Sequence, residues 1–265
     1  MAAGPDIRRW LLAAGLSALA LAAVALAAPH VPIGIPYVAG VFAFVCVSTE
    51  VLVVAALAPP LGPKALIGLL LPFGALVVVA LAGSALPTLA AAALVTVSLL
   101  VMGTLTGAVV GRAIEAPGHI VVVAVVSAMV DTFSVLHPSG PTAQLIQIEA
   151  AVNVLILPWP MLGTAEIQPV LGVGDIAFAA IYTVASRQHG LPMWRTVTAL
   201  AVGLALTLVV VIATGRGTPA LPFLGLAVVI AHPEARKLPK KDRARAVIGM
   251  CVLAAGLAAL FIFRS

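Results

Sequence analysis

The chain has 265 residues, of which 63% are apolar and only 9% are charged, with 14 Lys and Arg against 9 Asp and Glu. About a quarter of the residues in a soluble domain are charged, so this composition excludes a soluble globular fold and indicates a polytopic membrane protein in contact with a lipid bilayer. The net charge of +5 does not indicate a nucleic-acid partner, because six basic residues fall between 236 and 245, between two apolar segments, as in a cytoplasmic loop.

Nine apolar segments are long enough to cross the bilayer. A spanning helix needs about 20 apolar residues, since each residue rises about 1.5 Å across a hydrocarbon core of about 30 Å. The fold class predicted is therefore all-α, with about nine transmembrane helices. The predicted spans are 10–28, 37–58, 65–84, 88–111, 118–136, 168–186, 193–213, 218–232 and 246–263.

The basic residues predict how these spans are oriented. With a cytoplasmic N-terminus, only Arg216 and Arg264 fall outside, as the positive-inside rule requires. This predicts an integral protein of a prokaryotic plasma membrane, with its C-terminus outside. The first apolar segment also fits a cleavable signal peptide, which would leave eight spans. The 12 basic residues predicted inside are Arg8, Arg9, Lys64, Arg112, Arg187, Arg195, Arg236, Lys237, Lys240, Lys241, Arg243 and Arg245.

A long connection, 137–167, follows the fifth predicted span. Its apolar part, 150–162, is too short to span and contains Pro158 and Pro160, which interrupt a helix. We therefore expect an interfacial or re-entrant segment there. Trp10, Trp159 and Trp194 all fall near predicted membrane interfaces, where tryptophan commonly anchors a span.

Three acidic residues lie inside predicted spans, where an ionisable side chain is costly and indicates function. Asp131 lies five residues before the outer end of the fifth span, and Asp175 lies seven residues after the outer start of the sixth. A rise of 1.5 Å per residue places both about 8–10 Å deep. Glu50 lies about 20 Å deep by the same rise and has no assigned role. The other six acids are expected to be solvated: Asp6, Glu115, Glu149, Glu166, Glu234 and Asp242.

Two carboxyl groups that meet in an apolar pocket cannot both ionise easily, so the pair retains one proton. That is the protonation state of an aspartic protease, in which one Asp activates water and the other donates to the scissile carbonyl. A structural pair, or a proton-relay carboxyl in a transporter or channel, explains two aspartates equally well.

The local sequences separate these alternatives. The chain reads MVDTFSVLHPSGP around Asp131, LGVGDIAFAAIY around Asp175, and TPALPFLGL at the start of the eighth predicted span. Together these segments resemble the presenilin and signal peptide peptidase family of GxGD intramembrane aspartyl proteases. In that family one span carries the first Asp, the next carries Gly-x-Gly-Asp, and a later span starts with Pro-Ala-Leu.

The resemblance covers roughly residues 118–232 and implies an aspartic-type endopeptidase without a cofactor or a metal. It matches Asp131 and Asp175 to the catalytic pair, and it implies a presenilin-like fold. The supporting positions are the motif glycines and the tripeptide, namely Gly172, Gly174, Pro219, Ala220 and Leu221. It further implies transmembrane or signal-peptide substrates, with 137–167 receiving an unwound substrate strand by β-augmentation.

Physical reasons can be given for these motif residues. Glycines before Asp175 permit close backbone approach and unusual dihedral angles, although small-residue helix packing explains Gly172 and Gly174 as well. Pro219 can hold non-helical backbone at a cavity edge, or can be an ordinary proline in the first helical position. The resemblance divides the chain into amino-terminal spans (1–117), a catalytic core (118–232), and a basic loop with a last span (233–265).

The chain departs from the family at Val130, where a tyrosine is common, in having five rather than six spans up to Asp131, and in an extra span after Pro-Ala-Leu. A prepilin peptidase, a transporter and a catalytically inactive binding homologue remain alternatives. Ser127 and Ser134 flank Asp131 without a nearby histidine, which disfavours a serine protease. The five histidines show no metal-ligand spacing. The oligomeric state is not predicted.

Overall fold

The computed structural model describes residues 6–33, 36–82 and 88–263. Arg264, predicted to lie on the outer side of the membrane, is not among the described residues. Within the described ranges the chain forms eleven α-helices and one two-stranded sheet, and seven helices are long and apolar enough to cross a membrane. The all-α membrane protein expected from the sequence is confirmed at this level. The helices are α1 (Ile7–Ala27), α2 (Pro36–Leu57), α3 (Leu70–Ala82), α4 (Thr88–Arg112), α5 (His119–Leu136), α6 (Pro141–Leu145), α7 (Glu149–Leu155), α8 (Val173–Gln188), α9 (Met193–Thr214), α10 (Leu221–Ala231) and α11 (Lys240–Phe263).

Two predicted spans are shorter in the structure than the sequence suggests. The helix start predicted at residue 168 is wrong: residues Ile167–Gly172 form a strand, and α8 begins at Val173. Pro169 has no N–H to donate to a helix, and apolar content alone does not distinguish a buried strand from a helix. The other short span, α10, has 11 residues, since the segment before it runs through Pro219 without helical structure.

The long connection after α5 contains a β-hairpin. Strands β1 (Ile156–Pro160) and β2 (Ile167–Gly172) pair antiparallel, with an irregularity between Leu157 and Pro158. No helix crosses residues 150–162, as the two prolines predicted, although the strand pairing was not expected from the sequence. Gly163 in the turn has a φ of 82°, a conformation that glycine adopts without steric cost.

The chain divides into two compact units, each built from two stretches of sequence. Unit 1 comprises Met1–Arg112 and Glu149–Val184, and unit 2 comprises Ala113–Ile148 and Ala185–Ser265. In unit 1, α4 packs against α1 and α3, and the hairpin packs against α1, α2 and α4. In unit 2, α10 packs against α5 and α9, and α11 packs against α5.

Candidate functional site

Asp131, in unit 2, contacts the Pro-Ala-Leu segment directly. Its carboxylate Oδ2 accepts a hydrogen bond of 3.0 Å from the backbone N–H of Leu221, the first residue of α10. Asp131 is half-buried, whereas Ala220 and Leu221 are buried. Two of the three motifs, separated by 90 residues in sequence, therefore meet in one contact.

The neighbouring residues explain why the Leu221 N–H is the donor. Pro219 and Pro222 have no N–H, and the N–H groups of Phe223 and Leu224 both donate to the Ala220 carbonyl. The first N–H groups of a helix need an acceptor from outside the helix, and Ala220 at the N-cap has no side chain that can supply one.

The Asp131 carboxylate, from another helix, fills this capping position, where the helix dipole also favours a negative charge. Pro219 lies two residues before α10, so the interpretation of Pro219 as the first residue of a helix is wrong. The proline in the first turn of α10 is Pro222.

A glycine on α9 fixes where α10 starts. A Cβ added to Gly203 would lie 2.9 Å from the Leu224 Cα and 3.0 Å from the Phe223 carbonyl oxygen. Only glycine permits this close approach between the two helices. Gly203 therefore sets the position of the Leu221 amide that binds Asp131.

Asp175, in unit 1, lies in the first turn of α8, immediately after β2. A Cβ added to Gly172 would lie 3.6 Å from Asp175 Oδ2, an ordinary contact, and a Cβ added to Gly174 would meet no atom within 4 Å. Neither glycine has a positive φ, so the unusual dihedral angles expected at these glycines are wrong. At Gly174 the missing side chain leaves open space beside Asp175.

The helix that carries Asp175 is held by three glycines that the sequence reasoning missed. Added Cβ atoms would lie 2.8 Å from Ile176 Cβ at Gly103, against the Ala177 carbonyl oxygen at Gly107, and 2.8 Å from the Ile181 carbonyl oxygen at Gly111. This repeat on α4 is the small-xxx-small spacing of closely packed membrane helices, and it could have been found from the sequence.

A polar contact joins α8 to a second helix of unit 1. The Thr183 hydroxyl donates to the Ala55 carbonyl of α2, over 2.9 Å. Thr183 itself is fully buried. The helix α8, which carries Asp175, is therefore held by both α4 and α2.

The β-hairpin leads directly into the Asp175 segment. Leu157 and Leu171 lie opposite each other across the strands, and both are buried, as is Trp159. Their burial against unit 1 fixes one face of the hairpin. The Trp159 side chain is only 2% exposed, so it packs inside unit 1.

The serines near Asp131 do not form a nucleophile with a histidine. Ser127 donates to the Ala124 carbonyl of its own helix, and the Ser134 hydroxyl bonds the Thr142 hydroxyl at 2.6 Å. His137 accepts a hydrogen bond from Ser139 in the turn that follows α5. These contacts shape the exit of α5.

The remaining candidate residues are outside these two motif sites. Glu50 lies on α2, and its Oε2 is buried without a hydrogen-bond partner among the described residues. Within residues 6–33, 36–82 and 88–263, no three His, Cys, Asp or Glu side chains are grouped so that they could hold a metal ion.

The sequence-predicted residues thus fall into two sets: Asp131 with Pro219, Ala220 and Leu221 in unit 2, and Asp175 with Gly172 and Gly174 in unit 1. Comparison with protein-family models, with curated proteins and with solved structures finds no match to this chain.

Proposed function

We propose that this protein is an intramembrane aspartyl protease of the presenilin and signal peptide peptidase type, which hydrolyses peptide bonds within transmembrane segments or signal peptides. The observation that carries the proposal is the hydrogen bond from Leu221 to Asp131, since it joins an intramembrane carboxyl to the Pro-Ala-Leu segment. Asp175, at the start of α8, is the second member of the proposed catalytic pair.

The proposed chemistry uses the two carboxyls and one water. The ionised carboxyl removes a proton from the water, whose oxygen attacks the scissile carbonyl carbon, while the protonated carboxyl transfers its proton to the carbonyl oxygen. The resulting gem-diol collapses as the C–N bond breaks: the carboxyl that took the water proton passes it to the leaving amine, and the other carboxylate takes back a proton from a gem-diol hydroxyl. No cofactor or metal takes part in this scheme.

The substrate must present an extended segment, because a helical peptide bond is shielded by its own hydrogen bonds. β2 suits this role: it pairs with β1 in a two-stranded sheet among the described residues, and it leads into Gly172, Gly174 and Asp175. Pro158 and Pro160 remove two N–H groups from β1, whereas Pro169 removes one from β2, so β2 is the better template for a third strand. The open space at Gly174 leaves room for a substrate backbone beside Asp175.

The proposed topology has nine crossings, with α8 and α10 completing the seven long spans. The 16 residues of α8 rise about 24 Å, and the extended residues of β2 lengthen this path. The distribution of basic residues supports a cytoplasmic N-terminus and a C-terminus on the opposite side of the membrane, which we propose is a prokaryotic plasma membrane. In this orientation the substrates are single-span proteins with their N-termini inside, as for signal peptide peptidases.

Reconstitution of the full chain in vesicles with a single-span model substrate tests the proposal. We expect cleavage within the substrate span by the unaltered protein, and none by Asp131→Asn or Asp175→Asn. Asp6→Asn is the matched control, since Asp6 lies in the amino-terminal tail and asparagine also caps α1. This control should cleave normally.

Persisting cleavage in a correctly folded Asp131→Asn or Asp175→Asn variant would overturn the catalytic assignment. Folding is checked by thermal unfolding in detergent. Failure of the unaltered protein to cleave, with the substrate still co-purifying, would instead indicate an inactive binding homologue. A prepilin peptidase would cleave at the cytoplasmic face of the membrane, so mapping the cut site separates that alternative.

Glu50 gives a reason to keep a second candidate, a proton- or cation-coupled transporter. An acidic residue in a span is typical of proton relays, and the Glu50 Oε2, which is buried without a hydrogen-bond partner among the described residues, has no part in the protease mechanism. A pH-sensitive dye inside the same vesicles measures proton flux. Flux that is lost in Glu50→Gln, together with an uncleaved substrate, would favour the transporter.

A further inference from the structure

Unit 1 contains a cavity that the proposed protease chemistry does not use. It has a volume of about 600 Å³ and lies among α1, the 3₁₀ turn Pro63–Leu69, α3 and α4. Its walls are almost entirely apolar side chains, with Ser98 as a buried polar exception. Residues that define it include Trp10, Lys64, Pro72, Ser98 and Leu105.

A break in the third span opens this space. Residues Pro63–Leu69 are wound as a 3₁₀ helix before α3 begins. Because Pro72 has no N–H, it cannot donate to the Gly68 carbonyl four residues earlier, as a regular helix would require. The position of an added Gly68 Cβ lies 3.3 Å from Leu105 Cδ1 of α4, so the chain comes close to α4 here.

Positive charge gathers at one end of the cavity. Lys64 is exposed and lines the cavity. Trp10 also lines the cavity, and this contact brings the first turn of α1, with Arg8 and Arg9, to the same end. The Arg112 guanidinium donates to the Pro60 carbonyl at 3.1 Å, which brings the end of α4 to this loop. Four cations thus lie at this end of unit 1, where Asp6 at the start of α1 is an opposing carboxylate.

The cavity extends from this charged end into the apolar part of the helices. The lining residues of α4 run from Leu105 back to Val97, and eight residues at 1.5 Å each correspond to about 12 Å along the helix. The space therefore has a cationic rim at one end and apolar walls along its depth. An acidic phospholipid has the matching form, with an anionic phosphate attached to an acyl chain.

We propose that this cavity binds one acidic phospholipid, with the phosphate at Lys64 and an acyl chain between α1, α3 and α4. The lipid fills a gap that the interrupted third span leaves inside unit 1. The site is independent of the proposed protease function, since it uses neither Asp131 nor Asp175.

Trp10 supplies a probe for this site. In the full chain with Trp159→Phe and Trp194→Phe, Trp10 is the only tryptophan left. This protein is placed in phosphatidylcholine vesicles that contain a fixed share of a lipid with brominated acyl chains, which quench nearby indole fluorescence. The brominated lipid is phosphatidylglycerol in one sample and phosphatidylcholine in the other. We expect stronger quenching by brominated phosphatidylglycerol. Lys64→Ala should lower the relative affinity for phosphatidylglycerol about fivefold.

Lys241→Ala is the matched control, because Lys241 is also exposed but lies on α11 and is not among the residues that line the cavity. It should leave the quenching unchanged. Equal quenching by the two brominated lipids, or equal effects of Lys64→Ala and Lys241→Ala, would overturn the proposal.

Native mass spectrometry of the chain with all three tryptophans present is the second measurement. Phosphatidylglycerol adducts should persist in the unaltered protein and in Lys241→Ala, and their share should fall in Lys64→Ala, in line with the fivefold lower affinity. Adducts that persist equally in all three proteins would contradict the assignment.

Discussion

The starts of α8 and α10 carry the two motif sites, but they are held in place in different ways. Asp175 lies in the first turn of α8, and three glycines of α4 let α4 pack closely against α8. At α10 the helix start has no capping side chain of its own and uses Asp131 of α5 as its acceptor. One carboxyl is thus positioned by the helix that carries it, and the other by the helix that it caps.

This difference separates packing from capping as sources of stability. Close helix packing through glycine is sensitive to any added atom, because the neighbour at that point is backbone. A helix start that is capped by a side chain of another helix loses stability when the acceptor is removed, but it tolerates a change of charge if an acceptor remains. Substitutions at the two sites should therefore differ in size and in kind.

The largest effect is expected at the α4 and α8 contact. In Gly107→Ala the new methyl group meets the Ala177 carbonyl oxygen and lies 2.6 Å from the Ala180 Cβ, so the helices must separate. Overpacking of this kind costs about 3 kcal/mol. Gly74→Ala on α3 is the control, since its methyl group meets no atom within 4 Å. Thermal unfolding in detergent should show a clear loss for Gly107→Ala only, and equal stabilities would contradict the packing account.

A smaller loss is expected where α9 meets α10. The methyl group of Gly203→Ala would lie 2.9–3.0 Å from the Leu224 and Phe223 backbone, which is less severe than at Gly107. We expect a loss of about 2 kcal/mol in unfolding free energy, together with reduced substrate cleavage because the Leu221 amide moves. Gly249→Ala on α11, with open space around it, should change neither measurement. A Gly203→Ala loss larger than that of Gly107→Ala would reverse the comparison.

Removal of the borrowed cap should have a still smaller effect on stability. Asp131→Ala leaves the Leu221 N–H without its carboxylate acceptor and should cost about 1 kcal/mol. Asp131→Asn keeps an acceptor oxygen and should retain most of that stability, while the proposed proteolysis is lost in both variants. If alanine and asparagine destabilise equally, the capping role of Asp131 is wrong. Thermal unfolding and the cleavage assay measure the two effects separately.

The smallest effect on stability is expected at Gly174. An alanine methyl group meets no atom within 4 Å, and the backbone there does not have a positive φ. Gly174→Ala should therefore unfold at the same temperature as the unaltered protein. Under the proposed function its kcat/KM should fall, because the methyl group occupies space expected for the substrate backbone. Unchanged kcat/KM would remove Gly174 from the proposed substrate path.

Hydropathy predicted where most helices lie, because a bilayer core sets their minimum length. It failed at residues 168–172, where an apolar strand is as hydrophobic as a helix, and the pairing partner β1 lies outside the window. It also could not show that Trp10 is buried, with a side chain 2% exposed and an indole N–H that donates to Thr104, 94 residues away. The glycine repeat on α4 is visible in the sequence, but the sequence does not show that the helix packed against it is α8.

The sequence by itself determined the membrane class, most of the spans and the three motif segments, since composition and local spacing carry that information. Only the tertiary structure decided that Asp131 caps α10, that α4 glycines hold α8, and that a strand precedes Asp175. These features depend on pairs of segments that lie far apart in the chain. An apolar run is compatible with many such pairings, and the packed fold selects one of them.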